Sequence, residues 1–284
     1  MLDPVAGRKR DARHTARVDE LTWDAVAGEY RVLQRRGGHR YSLDDVLTAW
    51  EAASTWEARC PRRVPRVLDL GCGIGSVLVM LAYRFPEARM VGIEAQEESL
   101  ALARRSLERN GLADRVGLVL ADLRQLPGGL PEHGARFDLI TGTPPYFPPG
   151  TASVSPDPQR AHARIELRGG VEDYLAAAGA MVATGGHVVV CADARRPDRV
   201  RVGAAAAGLV ALRMRDAIPK VGRAPLFTVW TLAPAGAGEA VEVAPQFVAR
   251  TAAGARTAAY HAVRAHFGLG PGKDTATGSP DEVP

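Results

Sequence analysis

The sequence predicts an α/β fold, with a seven-stranded, mostly parallel sheet, a C-terminal antiparallel hairpin and helices on both faces. Three short apolar runs, at 67–70, 90–94 and 116–122, carry an acidic residue within or next to their C-terminal end. Apolar runs of this length are typical of buried parallel strands. Helices predicted near 76–85 and 97–110 separate these runs, and this alternation indicates βαβ units.

The second half of the chain continues the alternation. Helices are predicted near 171–183 and 195–207, and the apolar run 187–192 between them predicts a further strand. The last pair of strands, near 209–218 and 226–233, is expected to form the antiparallel hairpin.

Length and composition indicate one large domain with additions. The chain has 284 residues, of which 46% are hydrophobic, and single cores usually stop growing near about 250–300 residues. The predicted organisation is a disordered leader at 1–25, an N-terminal segment with a lid helix at 26–60, the main domain at 61–267 and a disordered tail at 268–284.

Cysteine and histidine usage favours neither a disulfide framework nor a metal site. The three cysteines are too few and too scattered, and the seven histidines lack metal-ligand spacing. The sequence shows no signal peptide and no apolar run of the ~20 residues that a membrane span requires. We therefore expect a cytoplasmic monomer that binds no metal and no membrane.

Three alternating glycines, Gly71, Gly73 and Gly75, follow the first predicted strand. Glycine lets the backbone approach a ligand closely and adopt angles that are closed to other residues. A dinucleotide fingerprint would need its third glycine at position 76, where this chain has Ser76. Asp69, two residues before the first glycine, instead suits the cationic end of a cofactor. A tight strand-to-helix turn that binds no ligand is the alternative.

Two further acids end the next two predicted strands. Glu94 lies close to the ~20-residue offset at which a carboxylate accepts hydrogen bonds from ribose hydroxyls in such folds. Asp122, followed by Leu123, is placed where an adenine amino group needs an acceptor. One acid at a strand end is more often a helix N-cap or a solvated loop residue. Three acids after three successive strands indicate a nucleotide site.

A stiff corner follows the strand that ends near Gly142. It consists of Thr143, Pro144, Pro145 and Tyr146, and two consecutive prolines hold the backbone extended. Open α/β sheets bind their ligands at the carboxyl ends of their strands, where this corner is expected to lie. These four residues are the candidate catalytic residues.

With this corner, the chain resembles class I amino-methyltransferases, which carry an Asn/Asp/Ser-Pro-Pro-Tyr/Phe motif and use S-adenosylmethionine (SAM). Within that group it is most similar to the tRNA adenine-N6 methyltransferases that modify the adenine beside the anticodon of a valine tRNA. The closer resemblance rests on 41–50, which includes Asp44, on 144–150 followed by Arg164 and Glu166, and on 246–250 followed by 257–260. It extends from about residue 30 to about residue 267.

The resemblance implies a Rossmann-like, SAM-dependent methyltransferase domain at 61–267, with Asp44 among the cofactor ligands. In the resembling enzymes the target amine donates hydrogen bonds to an Asn side chain and to the carbonyl of the first proline, here Pro144. The aromatic residue of the motif, here Tyr146, can stack on a flat target. Thr143 stands where the family expects Asn, and it keeps an acceptor oxygen on a shorter arm that also donates. The implied reaction is a direct displacement, for which the protein mainly supplies positioning and fixed dipoles.

Basic residues near the predicted lid helix are candidates for contact with RNA, and the resemblance implies that this RNA is a tRNA. The formal net charge of +4 is compatible with nucleic acid binding but does not establish it. Arginines cluster before the lid helix, and two further cations lie in the loop of the predicted hairpin. The predicted substrate-binding residues are Arg35, Arg36, Arg40, Lys220 and Arg223, with Phe147, Arg164 and Glu166 from the resemblance. A solvated charged face or an ordinary surface ion pair is the alternative for these charges.

Two other functions stay open. A methyltransferase for a protein glutamine or a small molecule would keep the cofactor residues and the Pro-Pro-Tyr corner, but would have no need of the arginine cluster. A catalytically silent RNA-binding homologue would keep the arginines and tolerate loss of Asp69, Glu94 or Asp122.

Overall fold

The structure is a computed structural model, and it describes residues 20–126, 130, 136–236 and 240–270. Of the predicted leader and tail, residues 1–19 and 271–284 lie outside the described residues.

The described residues contain eleven strands and seven α-helices. The strands are β1 (Leu21–Ala27), β2 (Tyr30–Arg35), β3 (Val67–Leu70), β4 (Met90–Glu94), β5 (Val116–Leu120), β6 (Phe137–Gly142), β7 (Val182–Asp193), β8 (Leu209–Ile218), β9 (Phe227–Pro234), β10 (Glu242–Val243) and β11 (Phe247–Val248). The helices are α1 (Leu43–Arg59), α2 (Ser76–Arg84), α3 (Glu97–Arg109), α4 (Pro158–Arg164), α5 (Val171–Met181), α6 (Pro197–Ala206) and α7 (Ala258–His266). A 3₁₀ turn covers Leu123–Gln125.

The main sheet has the strand order β10-β8-β9-β7-β6-β3-β4-β5, with β11 also paired to β8. Strands β3 to β7 pair in parallel with one another, whereas β9 runs antiparallel to both β7 and β8. The predicted parallel sheet and C-terminal hairpin are therefore confirmed. The two-residue strands β10 and β11 extend the sheet beyond the seven predicted strands, and runs this short carry no sequence period.

A separate hairpin, β1–β2, precedes α1. Leu21 pairs with Arg35 at its open end, so the predicted disordered leader extends too far at residues 21–25. The hairpin is held against α3, because the backbone N–H of Leu33 donates to Ser106 Oγ at 2.9 Å. Its first strand mixes Thr22, Trp23 and Asp24, a pattern without clear alternation in hydrophobicity.

Helices cover both faces of the sheet, as predicted. On one face Leu47 and Trp56 of α1 and Met80 of α2 are buried in one core. On the other face Leu175 of α5 and Val200 of α6 are buried in a second core. Among the described helices, none is both long and apolar enough to cross a membrane.

A buried carboxylate fastens α1 to the hairpin edge of the sheet. Glu51, only 3% exposed, forms ion pairs with Arg213 at 3.1 Å and Arg215 at 2.9 Å, both on β8. Arg215 also donates to the carbonyl of Pro245 at 2.6 Å, and its guanidinium lies 4.9 Å from the ring centroid of Trp50. This network fixes α1 relative to β8 and to the segment before β11.

We predict that Glu51→Gln lowers the free energy of unfolding by about 2 kcal/mol, because it leaves the half-buried Arg215 without its acidic partner and Arg213 with only the longer contact to Glu242. Urea denaturation at pH 7.5 measures it. The matched control is Asp198→Asn, which breaks an exposed pair with Arg201 and should cost less than about 1 kcal/mol. Equal losses for the two variants would contradict a special role for Glu51.

Candidate active site

A cleft of about 980 Å³ opens at the carboxyl edge of the parallel strands. It brings together most of the predicted cofactor and catalytic residues, although they come from separate parts of the chain. The predicted residues that line it are Asp44, Gly71, Gly73, Glu94, Asp122, Leu123, Thr143, Pro144, Pro145 and Tyr146. Asp69 and Gly75 are not among its lining residues.

The glycine loop between β3 and α2 leaves the floor of this cleft open. Gly71 and Gly73 adopt φ angles of +62° and +55°, in the region that disfavours side chains. A Cβ atom on Gly71 would lie 2.1 Å from the hydroxyl of Tyr174, whereas one on Gly73 would meet no atom within 4 Å. The empty space beside Gly73 is therefore room for a ligand, and Gly71 is required for packing.

Asp69 is buried beneath the wall rather than exposed in the cleft. Its Oδ1 accepts a hydrogen bond from Thr141 Oγ1 at 2.7 Å, while Oδ2 is buried with no donor among the described residues. Burial raises the pKa of Asp69 to about 7, opposed by the Thr141 hydrogen bond and reinforced by Glu94. This placement does not favour the predicted direct contact between Asp69 and a cofactor.

Glu94 lines the cleft with both carboxylate oxygens fixed. The backbone N–H of Gly73 donates to Oε2 at 2.9 Å, and that of Gln96 donates to Oε1 at 2.6 Å. Burial raises the pKa of Glu94, and these backbone hydrogen bonds oppose the rise. The two N–H groups hold the carboxylate at the cleft wall, in position to accept hydrogen bonds from hydroxyl groups.

Asp122 lies in the cleft but is already paired. Arg124 Nη2 lies 2.6 Å from Asp122 Oδ2, and the Arg124 backbone N–H donates to Oδ1 at 3.0 Å. The hydrogen bond from the Arg124 side chain is the main reason that the pKa of Asp122 is lowered. Its predicted contact with an adenine amino group would share the carboxylate with Arg124.

The first turn of α1 contributes two adjacent acids. Asp44 Oδ2 accepts a hydrogen bond from the hydroxyl of Tyr146 at 3.0 Å. Asp45 accepts from the backbone N–H of Ser42 at 2.9 Å and from Ser76 Oγ at 3.0 Å. Burial, then the charge of Asp44, raises the pKa of Asp45 to about 7. The sequence analysis identified Asp44 but not Asp45 as a site residue. The two adjacent acids at the start of this helix could have indicated Asp45 as well.

The four acids Asp44, Asp45, Asp69 and Glu94 concentrate negative charge at one edge of the sheet. Within the described part of the chain, none of them forms an ion pair with a lysine or arginine. Asp45, Asp69 and Glu94 are buried, and the charge of Arg168, which lines the same cleft, only partly offsets the effect of burial on the Glu94 pKa. Buried carboxylates without an ion-pair partner are costly and favour a cationic ligand. Together with the open space at Gly73, these four carboxylates fit the positively charged sulfonium and amino groups of SAM.

The Pro-Pro-Tyr corner forms another part of the same cleft. The Thr143 hydroxyl makes no hydrogen bond with any described residue and is available to a ligand. The Tyr146 ring is stacked 6.3 Å from Phe227, and its hydroxyl lies 3.1 Å from Cys191 Sγ as well as contacting Asp44. Phe147, the next residue, lies outside the cleft lining and has the Arg164 guanidinium 5.8 Å from its ring centroid.

The structure does not favour the predicted role of Arg35, Arg36 and Arg40 in substrate binding, because all three are engaged in ion pairs. Arg35 is buried and pairs with Glu98 at 2.8 Å and Asp157 at 3.1 Å. Its neighbours are paired too, Arg36 with Glu20 at 2.8 Å and Arg40 with Asp24 at 3.0 Å. The two acids that pair with Arg35 come from distant parts of the chain. Glu20 and Asp24, in contrast, lie next to and within β1, the strand that pairs with β2.

The other predicted substrate residues separate into two groups. Glu166 forms an ion pair with Arg199 at 2.6 Å, and no ion pair joins it to Arg164 among the described residues. Lys220 and Arg223 lie in the loop between β8 and β9, where the backbone N–H of Arg223 donates to the Lys220 carbonyl at 3.0 Å. No described acid pairs with either of these two cations.

Sequence reasoning missed the wall formed by the segment after the corner. Gln159 of α4 lines the cleft and is 1% exposed. Its side chain accepts from the backbone N–H of His39 at 3.0 Å and donates to Ser99 Oγ at 3.1 Å. Arg168 also lines the cleft and donates to the carbonyl of Ala95. Nothing in the local sequence pairs these residues, because their partners are at least 60 positions away.

Comparison with known proteins points to one enzyme class. A family described as "Methyltransferase domain" matches residues 67–151. The tRNA1(Val) (adenine(37)-N6)-methyltransferase of Porphyromonas gingivalis is 30% identical over 181 residues, which cover 62% of this chain and 68% of that protein. The release factor glutamine methyltransferase of Geobacter sulfurreducens is 38% identical over 113 residues, covering 38% of this chain and 37% of that protein.

Among solved structures, the fold matches a protein described as a predicted O-methyltransferase from Agrobacterium tumefaciens. The TM-score is 0.61 at 18% identity, over 80% of this chain and 98% of that chain. At this identity the similarity shows the fold alone.

We predict that Asp69→Asn is more stable than the wild type at pH 8, and that this advantage shrinks at pH 5.5. The folded protein raises the Asp69 pKa from its ordinary value of 3.8 to about 7. A raised carboxyl pKa stabilises the fold at low pH, and that contribution is lost as pH rises from about 4 to about 7. Asn keeps the oxygen that accepts from Thr141 and cannot lose a proton.

Thermal unfolding of the ligand-free protein at both pH values measures the effect. Thr141→Val serves as the control, because it removes the hydrogen bond to Asp69 but keeps the carboxyl group. An advantage of Asp69→Asn that is the same at pH 5.5 and pH 8 would contradict the raised pKa.

Proposed function

We propose that this chain, which belongs to the SAM-dependent methyltransferase family of the tRNA1(Val) (adenine(37)-N6)-methyltransferases, transfers a methyl group to N6 of an adenine in tRNA. That it is a SAM-dependent N-methyltransferase follows from the family and the fold. The single observation that carries methyl transfer to an amino nitrogen is the shared cleft, and the similarity to tRNA1(Val) (adenine(37)-N6)-methyltransferases favours adenine as the acceptor. The wall of this cleft joins the glycine loop and Glu94 to the Thr143–Tyr146 corner.

In this proposal the inner part of the cleft holds the cofactor. SAM supplies a methyl group on a positively charged sulfur, from which an amine can take it directly. Glu94 accepts hydrogen bonds from the ribose hydroxyls, and Asp122 with Leu123 contacts the adenine end. Asp44, Asp45 and, from beneath the wall, Asp69 provide negative charge for the cationic groups.

The corner orients the acceptor amine. The Thr143 hydroxyl and the Pro144 carbonyl accept the two amine hydrogens, which leaves the nitrogen lone pair directed away from both oxygens. Pro145 keeps the backbone extended, so that the Pro144 carbonyl has a fixed direction. Tyr146 stacks against the flat acceptor, and its hydrogen bond to Asp44 fixes the ring.

RNA contacts in this proposal come from the loop between β8 and β9 and from the surface beside the corner. Lys220 and Arg223 have no acidic partner among the described residues, and Arg164 is exposed over Phe147. These three cations are suited to phosphate groups. Arg35, Arg36 and Arg40 are engaged in ion pairs and are not assigned this role.

A glutamine side chain is the second candidate acceptor. Its amide is flat and carries two hydrogens, as the adenine amino group does, so the same corner geometry suits it. The similarity to a release factor glutamine methyltransferase supports this candidate, although it covers only 38% of this chain.

Transfer of labelled methyl from SAM tests the proposal. The purified protein is incubated with separate RNA, protein and metabolite fractions from cells that lack the gene, and the labelled fraction is digested. N6-methyladenosine from tRNA is the expected product. Label confined to protein or metabolites would contradict RNA methylation while leaving the cofactor site intact.

We predict that Thr143→Val lowers kcat about fivefold, because an amine hydrogen loses an acceptor and one hydrogen bond is worth about 1 kcal/mol. Thr143→Asn should match or exceed the wild type on adenine, since its longer side chain restores the family residue. Steady-state kinetics on the labelled RNA measure both variants. The KM for SAM is the control and should stay unchanged. A kcat for Thr143→Val equal to that of the wild type would exclude the hydroxyl from the acceptor site.

A further inference from the structure

A second cleft, of about 660 Å³, lies beside the first turn of α1. It is lined by residues of β1, β2, the segment 40–46, and α7 with the loop that precedes it. Leu43 and Val46 face this second cleft, whereas Asp44 and Asp45 face the cofactor cleft. One helical turn therefore separates the two clefts, and the diameter of a helix with its side chains is about 10–12 Å.

Arg256 and Tyr260, which line the second cleft, follow β11 in the chain. Strand β11 pairs with Ala217 and Ile218 at the carboxyl end of β8. The backbone N–H of Val221 donates to the Arg250 carbonyl at 2.9 Å, so the segment after β11 lies against the loop that carries Lys220 and Arg223. The segment that runs from β11 to Tyr260 thus contacts this loop at Arg250 and lines the second cleft at Arg256 and Tyr260.

Aromatic rings and a guanidinium form one wall of the second cleft. Arg256 lies 4.1 Å from the ring centroid of Tyr260. Tyr41 is half-buried, and its hydroxyl donates to the Ala25 carbonyl at 3.0 Å, which fixes its ring. The Tyr260 hydroxyl makes no hydrogen bond with any described residue. Exposed aromatic rings beside arginine are the platforms on which unpaired bases stack.

Asp24 also lines the second cleft, and its carboxylate supplies hydrogen-bonding capacity there. Asp24 Oδ2 accepts from Gln34 Nε2 at 2.9 Å and from Arg40 Nη2 at 3.0 Å. No described residue donates to Asp24 Oδ1. A free carboxylate oxygen is suited to the exocyclic amino group of a base. Because Gln34 and Arg40 hold Asp24 Oδ2 in place, Oδ1 keeps a fixed orientation.

We propose that the second cleft binds an unpaired nucleotide of the acceptor RNA, a few positions from the target adenine. Its base stacks on the Arg256–Tyr260 pair, and its amino edge faces Asp24. Occupation of this cleft sets the register with which the target enters the Thr143–Tyr146 corner. This inference rests on the proposed function and adds a recognition site to it.

The first test compares Tyr260→Ala with Tyr260→Phe on the RNA that the wild-type enzyme methylates. Loss of the ring should raise the KM for RNA about tenfold or more, as stacking on one base is worth that much. The KM for SAM should stay unchanged, which also shows that the variant is folded. Tyr260→Phe keeps the stacking surface and should stay within about twofold of the wild type. An unchanged KM for RNA in Tyr260→Ala overturns the inference.

The second test needs no substitution. The wild-type protein with SAM and that RNA is crosslinked by ultraviolet light, and the crosslinked peptides are identified by mass spectrometry. Crosslinks at Tyr41 or Tyr260 support the inference, and crosslinks confined to 219–226 overturn it. The failure of the proposed function gives a different result, because the wild type would then methylate a protein or a metabolite and no RNA.

Discussion

Uncompensated negative charge at the carboxyl edge of the sheet is the constraint on which the site depends. Asp45, Asp69 and Glu94 are buried there, and burial raises the pKa of each. A fold retains such groups at a cost in stability, because each favours its neutral form until a cation arrives. The glycine loop, the end of β4 and the first turn of α1 all meet at this charge. The charge of these acids is therefore the main property that favours a cationic ligand in the cofactor cleft. The shape of the cleft is set by the strands that end there.

One hydrogen bond connects this acidic cluster to the acceptor corner. Asp44 begins α1 beside the cofactor cleft and accepts from the hydroxyl of Tyr146. Glu51, two turns further along the same helix, is fastened to β8 by two ion pairs. The helix thus couples three parts of the molecule: the cofactor cleft, the corner that orients the acceptor, and the hairpin edge whose loop carries Lys220 and Arg223. In the proposed function, this coupling aligns the methyl donor and the acceptor.

The sequence was most informative where a local pattern has a local cause. Buried strands produce apolar runs, and positive φ angles select Gly71 and Gly73, so the sheet and the inner cleft could be predicted. Charges were interpreted less well, because their partners are distant in sequence. Arg35 needs Glu98 and Asp157, and Glu166 needs Arg199, and no local pattern indicates which acid a cation will meet. For the same reason Gln159 was missed, although its hydrogen bonds close one wall of the cleft.

Proton release on SAM binding tests the central claim most directly. Calorimetric titration of SAM at pH 6.5, in buffers with different ionisation enthalpies, counts the protons that leave the protein. The pKa of about 7 for Asp45 and Asp69 means that both are largely protonated at this pH before binding. A cation lowers these pKa values, so SAM should release protons and bind more tightly at pH 8 than at pH 6. Binding without proton release, and with an affinity that does not change between these pH values, would contradict the electrostatic account.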